Sequence, residues 1–381
     1  MSGQHAPLPP SSAHIWFNCP ASVGMQASYP EPDDTEEARE GTAAHHYATE
    51  GIIDEARVPV GSNAPNGYPI TQEMADCAQG FIADVRDVYW KWKADGGDPQ
   101  LFVEQRVDMP LVHEQNWGTP DAAIVDVPMR RLYINDYKFG HRFVDAPGNL
   151  QLLDYAIGHM PRESAEWPLW TITIVVSQPR NFHRYGPVRR WETNGRELLD
   201  NYRYNLSLAA KEAMGPDPEM RTGGHCRDCS ARHACPALQQ AAAIAMDVSR
   251  KDSPLDLTAH ALGLELRQLD EAAARIKARR TGLEEQALGL IRGGTNVPHF
   301  TAQHSVGREK WDVPDAEAIL LAKNFGVDIS KGEQALTPNQ ARDAFKKQGV
   351  DGTVIKSYST QPRGALRLER ADDNEASLAF S

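Results

Sequence analysis

Four of the five cysteines constrain this chain more than any other feature. Three of them crowd into His225-Cys226-Arg227-Asp228-Cys229-Ser230-Ala231-Arg232-His233-Ala234-Cys235-Pro236, a C-x2-C-x5-C spacing, and Cys19 stands far upstream in Asn18-Cys19-Pro20. Clustered thiols in an odd total suit a metal site in a reducing compartment better than a secreted disulfide framework. Three ligands require a fourth, and Cys19, which like Cys235 precedes a proline, is the candidate, whereas Cys77 falls mid-helix and reads as a buried core residue. Such a site closes a loop of about 216 residues, so the intervening chain must leave and return to one place, and metal binding becomes part of folding. Four thiolates suit a tetrahedral zinc or a [4Fe–4S] cluster alike, and His225 or His233 can replace one of them around zinc.

The bulk properties limit the remaining choices. At 381 residues, 41% hydrophobic and 24% charged, the chain is an ordinary soluble type with room for two or three domains. It contains no run of eighteen apolar residues, and the opening MSGQHAPLPPSS lacks a secretory profile, so no membrane association and a cytoplasmic location are expected. A net charge of −12 excludes a uniformly basic surface but not a basic groove.

Along the chain, residues 1–10 are proline-rich and expected to be disordered, and 370–381 form an acidic tail. Helical spacing is expected over 35–56 and 71–93, strands over 101–109, 121–127 and 131–137, a helix over 149–159, and strands over 170–177 and 186–192. Ser249–Pro254 reads as a linker between a first domain, 11–247, and a mainly helical, mixed second one, 255–369. The second opens with an amphipathic helix carrying Leu262, Leu266, Leu269, Ala273, Ile276, Leu283, Ala287 and Leu290.

The chemistry concentrates in Gly118-Thr119-Pro120-Asp121, Asp136-Tyr137-Lys138 and Gln151-Leu-Leu-Asp-Tyr155. On a strand, Asp136 and Lys138 project to one side, and Asp121 can approach from the neighbouring strand. Two carboxylates can then share a divalent cation, and a lysine beside them can orient a water and offset developing phosphate charge. Gln151 and Tyr155, four apart, share a helix face. An isolated D-x-K is as a rule a solvated ion pair. Here the order of the surrounding elements and the second acid speak for a site.

That order resembles the RecB-type branch of the PD-(D/E)XK nuclease superfamily. Glu40-Gly41-Thr42-Ala43-Ala44-His45 resembles the family's G-T-x-x-H helix, which implies His45 as a metal ligand with Asp121 and Asp136, Lys138 as catalytic lysine, and Gln151 and Tyr155 as supporting residues. Glu104 stays open as an additional acid. One cysteine before these motifs and three after them resembles the iron–sulfur nucleases of the AddB and CRISPR-associated exonuclease type, which implies a [4Fe–4S] staple rather than zinc. Almost the whole chain looks like a phage-associated family of uncharacterised RecB-like nucleases. The implied fold is α/β, a restriction-endonuclease-like central mixed sheet flanked by helices, with a four-cysteine staple. The implied activity is an Mg²⁺- or Mn²⁺-dependent deoxyribonuclease, an exonuclease trimming DNA ends. A silent DNA-binding subunit is the alternative.

Two basic stretches and one missing motif bear on partners. Gln178-Pro-Arg180-Asn-Phe182-His183-Arg184-Tyr185 interleaves basic and aromatic residues, so Arg180, Arg184 and Tyr185 are candidate nucleic-acid contacts, or a solvated hairpin. Arg275, Lys277, Arg279 and Arg280 read as a solvated helix face. With no G-x-x-x-x-G-K-S/T motif in the chain, unwinding would need a partner such as a phage strand-annealing or recombinase protein, and a homo-oligomer is compatible with the sequence.

Overall fold

Helix α1 (Glu36–Ile53) starts where the sequence offers a cap: the Thr35 hydroxyl accepts the Ala38 N–H at 3.2 Å, and Glu36 and Glu37 occupy the first turn. Thr71 caps α2 (Gln72–Ala94) in the same way through the Met74 N–H. Ala43, Ala44, Ala48 and Ile52 of α1 and Met74, Ala78, Phe81, Ile82 and Val85 of α2 bury their common face. The structure is a computed structural model that describes residues 6–30, 35–54, 57–161, 166–181, 183–248, 257–307, 309–332 and 334–370.

The central sheet has five strands in chain order, β1 (Gln100–Val103), β2 (Ala122–Asp126), β3 (Arg131–Tyr137), β4 (Thr171–Ser177) and β5 (Val188–Asn194). Strands β3 and β4 are parallel, and a crossover carries α3 (Leu150–His159), capped by Asn149, between them. The other three pairings are antiparallel. The expected α/β class, a mixed sheet flanked by helices, is therefore what forms. No helix among the described residues is long and apolar enough to cross a membrane.

Alternation sorts the two faces. Tyr133 and Tyr137 of β3 pack with α1 and α2, while Leu132 and Ile134 join Leu152, Leu153, Ala156 and Ile157 of α3 and Leu206 of α4 (Tyr204–Ala213). Asp136 has the parity of Leu132 and Ile134, so a carboxylate stands at the end of an otherwise apolar row. Each fully buried aliphatic side chain contributes roughly 1.5–3 kcal/mol. A one-residue slip of β3 would forfeit several at once and turn Asp136 to the opposite face.

Some expectations need correction. Residues 6–10 are packed rather than frayed: Leu8 is fully buried, and the Trp16 indole donates to the Pro9 carbonyl at 3.1 Å. Prolines exclude regular helix and strand there, not burial. Residues 1–5 and 371–381 lie outside the described residues. The run 101–109 is not one strand, because Glu104 takes a positive φ of 48° and Val107–Asp108 pairs instead with Trp117–Gly118 in a separate ribbon.

The chain divides into two compact units, residues 1–282 and 283–381. The division falls within α6 (Ala259–Arg292), which follows α5 (Pro236–Val248), and not at 249–254, a stretch outside the described residues. Leu262, Leu266, Leu269 and Ile276 of α6 are exposed, and its buried residues are Ala278 and Gly282. A Cβ on Gly282 would lie 2.7 Å from the His233 backbone nitrogen, so small residues, not the leucine row, let α6 approach the cysteine segment. In the second unit β6 (Phe300–Val306) pairs with β7 (Arg363–Arg370), and α7 (Asp315–Asn324) and α8 (Pro338–Lys347) enclose a small core around Ala318, Ala341 and Phe345.

Candidate metal centre

The register of β2 against β3 builds this site. Ala122 lies opposite Asn135, so Asp121 and Asp136, one step further on, come side by side at the strand ends. The Tyr137 backbone N–H donates to Asp121 Oδ2 at 2.7 Å, and His45 Nδ1 from α1 lies 3.3 Å from Asp121 Oδ1. Lys138 Nζ is 3.1 Å and 2.9 Å from the two oxygens of Asp136. Gln151 connects both, its Nε2 donating to Asp136 Oδ1 at 3.2 Å and its Oε1 accepting from Lys138 at 3.5 Å. Tyr155, one turn on, fills the space over Gly118, where a Cβ would lie 2.9 Å from its ring and 3.0 Å from Pro10. Gly118 is thus required for close approach. Pro120 falls in the break between the 117–118 ribbon and β2, where the ladder asks no N–H of it.

Sequence reasoning left Glu104 open, and the structure brings it in. One ligand atom each from His45, Glu104 and Asp121 lie within 4.8 Å of one another. The left-handed turn at Glu104 ends β1 and aims the carboxylate at its neighbours. Although the residue is open to solvent on one side, partial desolvation and the Asp121 carboxylate push its pKa up to about 7. Nothing in a run that alternates like a strand announces this turn.

Electrostatics separate the two aspartates. Burial raises both, but His45, its hydrogen bond, Lys138 and the Tyr137 N–H bring Asp121 below the ordinary carboxyl range. Asp136 stays above that range, because burial, helped by the charge on Asp121, outweighs Lys138. Burial alone would favour neutral His45 and Lys138, yet Asp121 holds the first and Asp136 with Asp121 the second above their usual values. Asp121 is thus the carboxylate kept charged, and its oxygens, with those of Glu104 and the His45 ring, offer the hard donors that a divalent cation takes.

The basic segment behaves differently from expectation at one position. Arg180 is not free for a phosphate: it pairs with Glu40 at 3.0 Å and Glu73 at 3.4 Å and stacks 4.3 Å above Phe139. It ties α1 and α2 to the loop after β4. Arg184 and Tyr185 do face solvent, joined by a 2.7 Å hydrogen bond, and Phe182 lies outside the described residues.

Cys19, Cys226, Cys229 and Cys235 line one cavity together with Ile15, Met25, Ala231 and Leu238. Each sulfur accepts a backbone N–H: Cys19 from Arg221 at 3.4 Å, Cys226 from Gly223 at 3.3 Å, Cys235 from Leu238 at 3.5 Å, and Cys229 from Ala231. Burial and mutual repulsion push Cys229 up to about 11. Among the described residues the four sulfurs form no triad as tight as that of His45, Glu104 and Asp121. His225 borders the cavity, whereas His233 packs edge-on against Tyr29 at 5.0 Å. Cys77 is half-buried in α2, apart from the others.

A mixed sheet with a histidine, three acids and a lysine converging at its strand ends defines an α/β protein with a candidate divalent-metal centre. The chain belongs to the family described as protein of unknown function (DUF2800), whose model matches residues 5–376 and so spans both units and all four cavity cysteines.

Proposed function

We propose that this protein is a divalent-metal-dependent deoxyribonuclease of the PD-(D/E)XK kind. The observation that carries the reading is Lys138, held by Asp136 and Gln151 immediately beside the His45–Asp121 pair. His45, Glu104 and Asp121, whose ligand atoms lie within 4.8 Å of one another, would hold Mg²⁺ or Mn²⁺, with Asp136 beside them engaged by Lys138, and an imidazole with carboxylates fits either ion. The cation, when bound, supplies charge neutralisation and activation of water. Lys138, kept charged, orients the attacking water and offsets charge developing on the phosphate. Gln151 bridges the Lys138–Asp136 pair and so fixes its place, and Tyr155, packed against Gly118 and Pro10, fixes the helix that carries Gln151 over the strand ends.

The four cysteines are proposed to hold a [4Fe–4S] cluster as a structural staple. Four backbone N–H groups directed at sulfur suit thiolates. A single zinc would draw its thiolates to about 2.3 Å from itself and so within about 4 Å of one another. Exonucleolytic trimming of DNA ends beside a phage strand-annealing or recombinase protein is the setting we assign.

The test is cleavage of end-labelled linear and closed circular DNA with Mg²⁺, Mn²⁺ or EDTA by wild type and Lys138→Ala. Metal-dependent loss of linear DNA alone, absent in the variant, is the expected outcome. No cleavage of any DNA by cluster-loaded wild type would overturn the reading.

A further inference from the structure

The loop after Lys138 joins two surface features that the metal centre does not use. Gln178 holds this loop, its Nε2 donating to the Gly140 and Arg142 carbonyls and its Oε1 accepting the Val144 N–H at 3.2 Å. Asn181 adds a donor to the His141 carbonyl at 2.8 Å. A loop so pinned presents its side chains in fixed places.

Phe143 of this loop begins a row of rings. Its centroid lies 4.4 Å from that of His183, His183 lies 4.9 Å from Tyr185, and the Arg184 guanidinium sits 4.7 Å over Tyr185. Tyr185 is 63% exposed and Phe143 38%, so the row is ordered without being covered. Burial in the core does not account for rings aligned in this way at the surface.

Arg142, the residue before Phe143, enters a cleft of about 610 Å³ that is also lined by His14, His225, Arg227, Asp228 and Lys277. Among the described residues Asp228 is its one carboxylate, and it is already engaged, bidentately by Arg142, by His14 at 3.2 Å and by Arg227 at 3.7 Å. Two arginines and a lysine against one aspartate leave a positive cleft on a chain whose net charge is −12. A local positive field on an acidic protein is suited to a polyanion.

We propose that this loop is a guide for an unpaired nucleic-acid strand, with phosphates on Arg227 and Lys277 of the cleft, where Asp228 is neutralised by Arg142, and bases on the Phe143–His183–Tyr185 row, leading to the metal centre. Stacking on rings requires free base faces, which a single strand offers along its length and a duplex only at its ends. The proposal rests on the nuclease reading for the fate of the bound strand, but not for binding itself.

The experiment is fluorescence anisotropy of a labelled single-stranded oligonucleotide and its duplex in EDTA, with full-length wild type, His183→Ala/Tyr185→Ala and Arg227→Gln/Lys277→Gln. These side chains are surface-placed, and an unchanged melting temperature confirms the fold. Wild type should prefer the single strand, the ring variant should lose about tenfold on it and little on duplex, and the charge variant should lower the single-strand salt slope by roughly 1.4. Equal affinity for both DNAs, or variants that bind as wild type does, overturns the inference. Binding that obeys these expectations in a protein that cleaves nothing sinks the nuclease reading and leaves the strand guide standing. Cleavage with no strand preference and no response to the variants does the reverse.

Discussion

The metal centre and the cysteine cavity are both clusters of ligands, but they are held in opposite ways. The centre sits on strand ends whose register places Asp121 and Asp136, and its charges already answer one another through His45 and Lys138. The cysteines sit on short turns, 224–228 and 230–233, and on the ends of neighbouring segments, and what holds their sulfurs is a few weak hydrogen bonds, chiefly from backbone N–H groups. One site is built by the fold, and the other, loaded with the proposed cluster, would help to build it.

The largest effect should come from removing a thiol. Cys229→Ala, or iron chelation, is expected to lower the melting temperature by many degrees and leave much of the chain insoluble, because the link that the proposed cluster would make between Cys19 and the 226–235 segment is then lost. EDTA or Asp136→Ala should leave the melting temperature within a few degrees of wild type while abolishing cleavage. A cysteine variant as stable as wild type would erase the contrast. Next in size, Lys138→Ala should reduce the cleavage rate by about 10²–10³-fold with the cluster's visible absorbance unchanged. Glu104→Gln should then raise the Mn²⁺ concentration for half-maximal cleavage by about 10- to 100-fold; an unchanged requirement would remove Glu104 from the ligand set.

The same contrast explains what was legible in the sequence. Where caps and periodicity agree, as with Thr35 and α1, Asn149 and α3, or the alternating run 131–137, the elements form at or near their expected bounds. Because the strand pairing then follows, Asp121, Asp136, Lys138 and Gln151 meet where their spacing could bring them, and His45, pointed to by the family resemblance alone, joins them. The misses are long-range or conformational. Glu40 lies 140 residues from Arg180, and no local pattern could have disclosed that it neutralises that arginine. Glu104 enters the site through one positive φ inside a stretch that reads as strand. The leucine row on α6 is periodic yet exposed, since periodicity tells which face is apolar, not which face is covered.

The buried Asp154 carboxyl and the proposed staple should also respond to pH in opposite directions, which gives the finest test of the comparison. Asp154 of α3 is fully buried, and its carboxylate accepts from Asn116 Nδ2 at 3.0 and 2.8 Å, joining the helix under the metal centre to the chain before the 117–118 ribbon. Burial pushes its pKa from 3.8 up to about 7, with the Asn116 bond pulling the other way. The folded-state pKa is raised, so the contribution to stability is fully present below about 4 and is lost as pH climbs to about 7, a change of at most a few kcal/mol. The thiols run the other way, since loading the proposed cluster would release the protons that burial keeps on them, and acid would therefore weaken the staple. Asp154→Asn should flatten the fall in melting temperature between acid and neutral pH measured at constant cluster occupancy, and leave the acid loss of visible absorbance as it is in wild type. If the variant and wild type keep parallel melting curves across that range, the buried carboxyl contributes no acid-favoured stability, and the opposition between the two sites rests on the thiols alone.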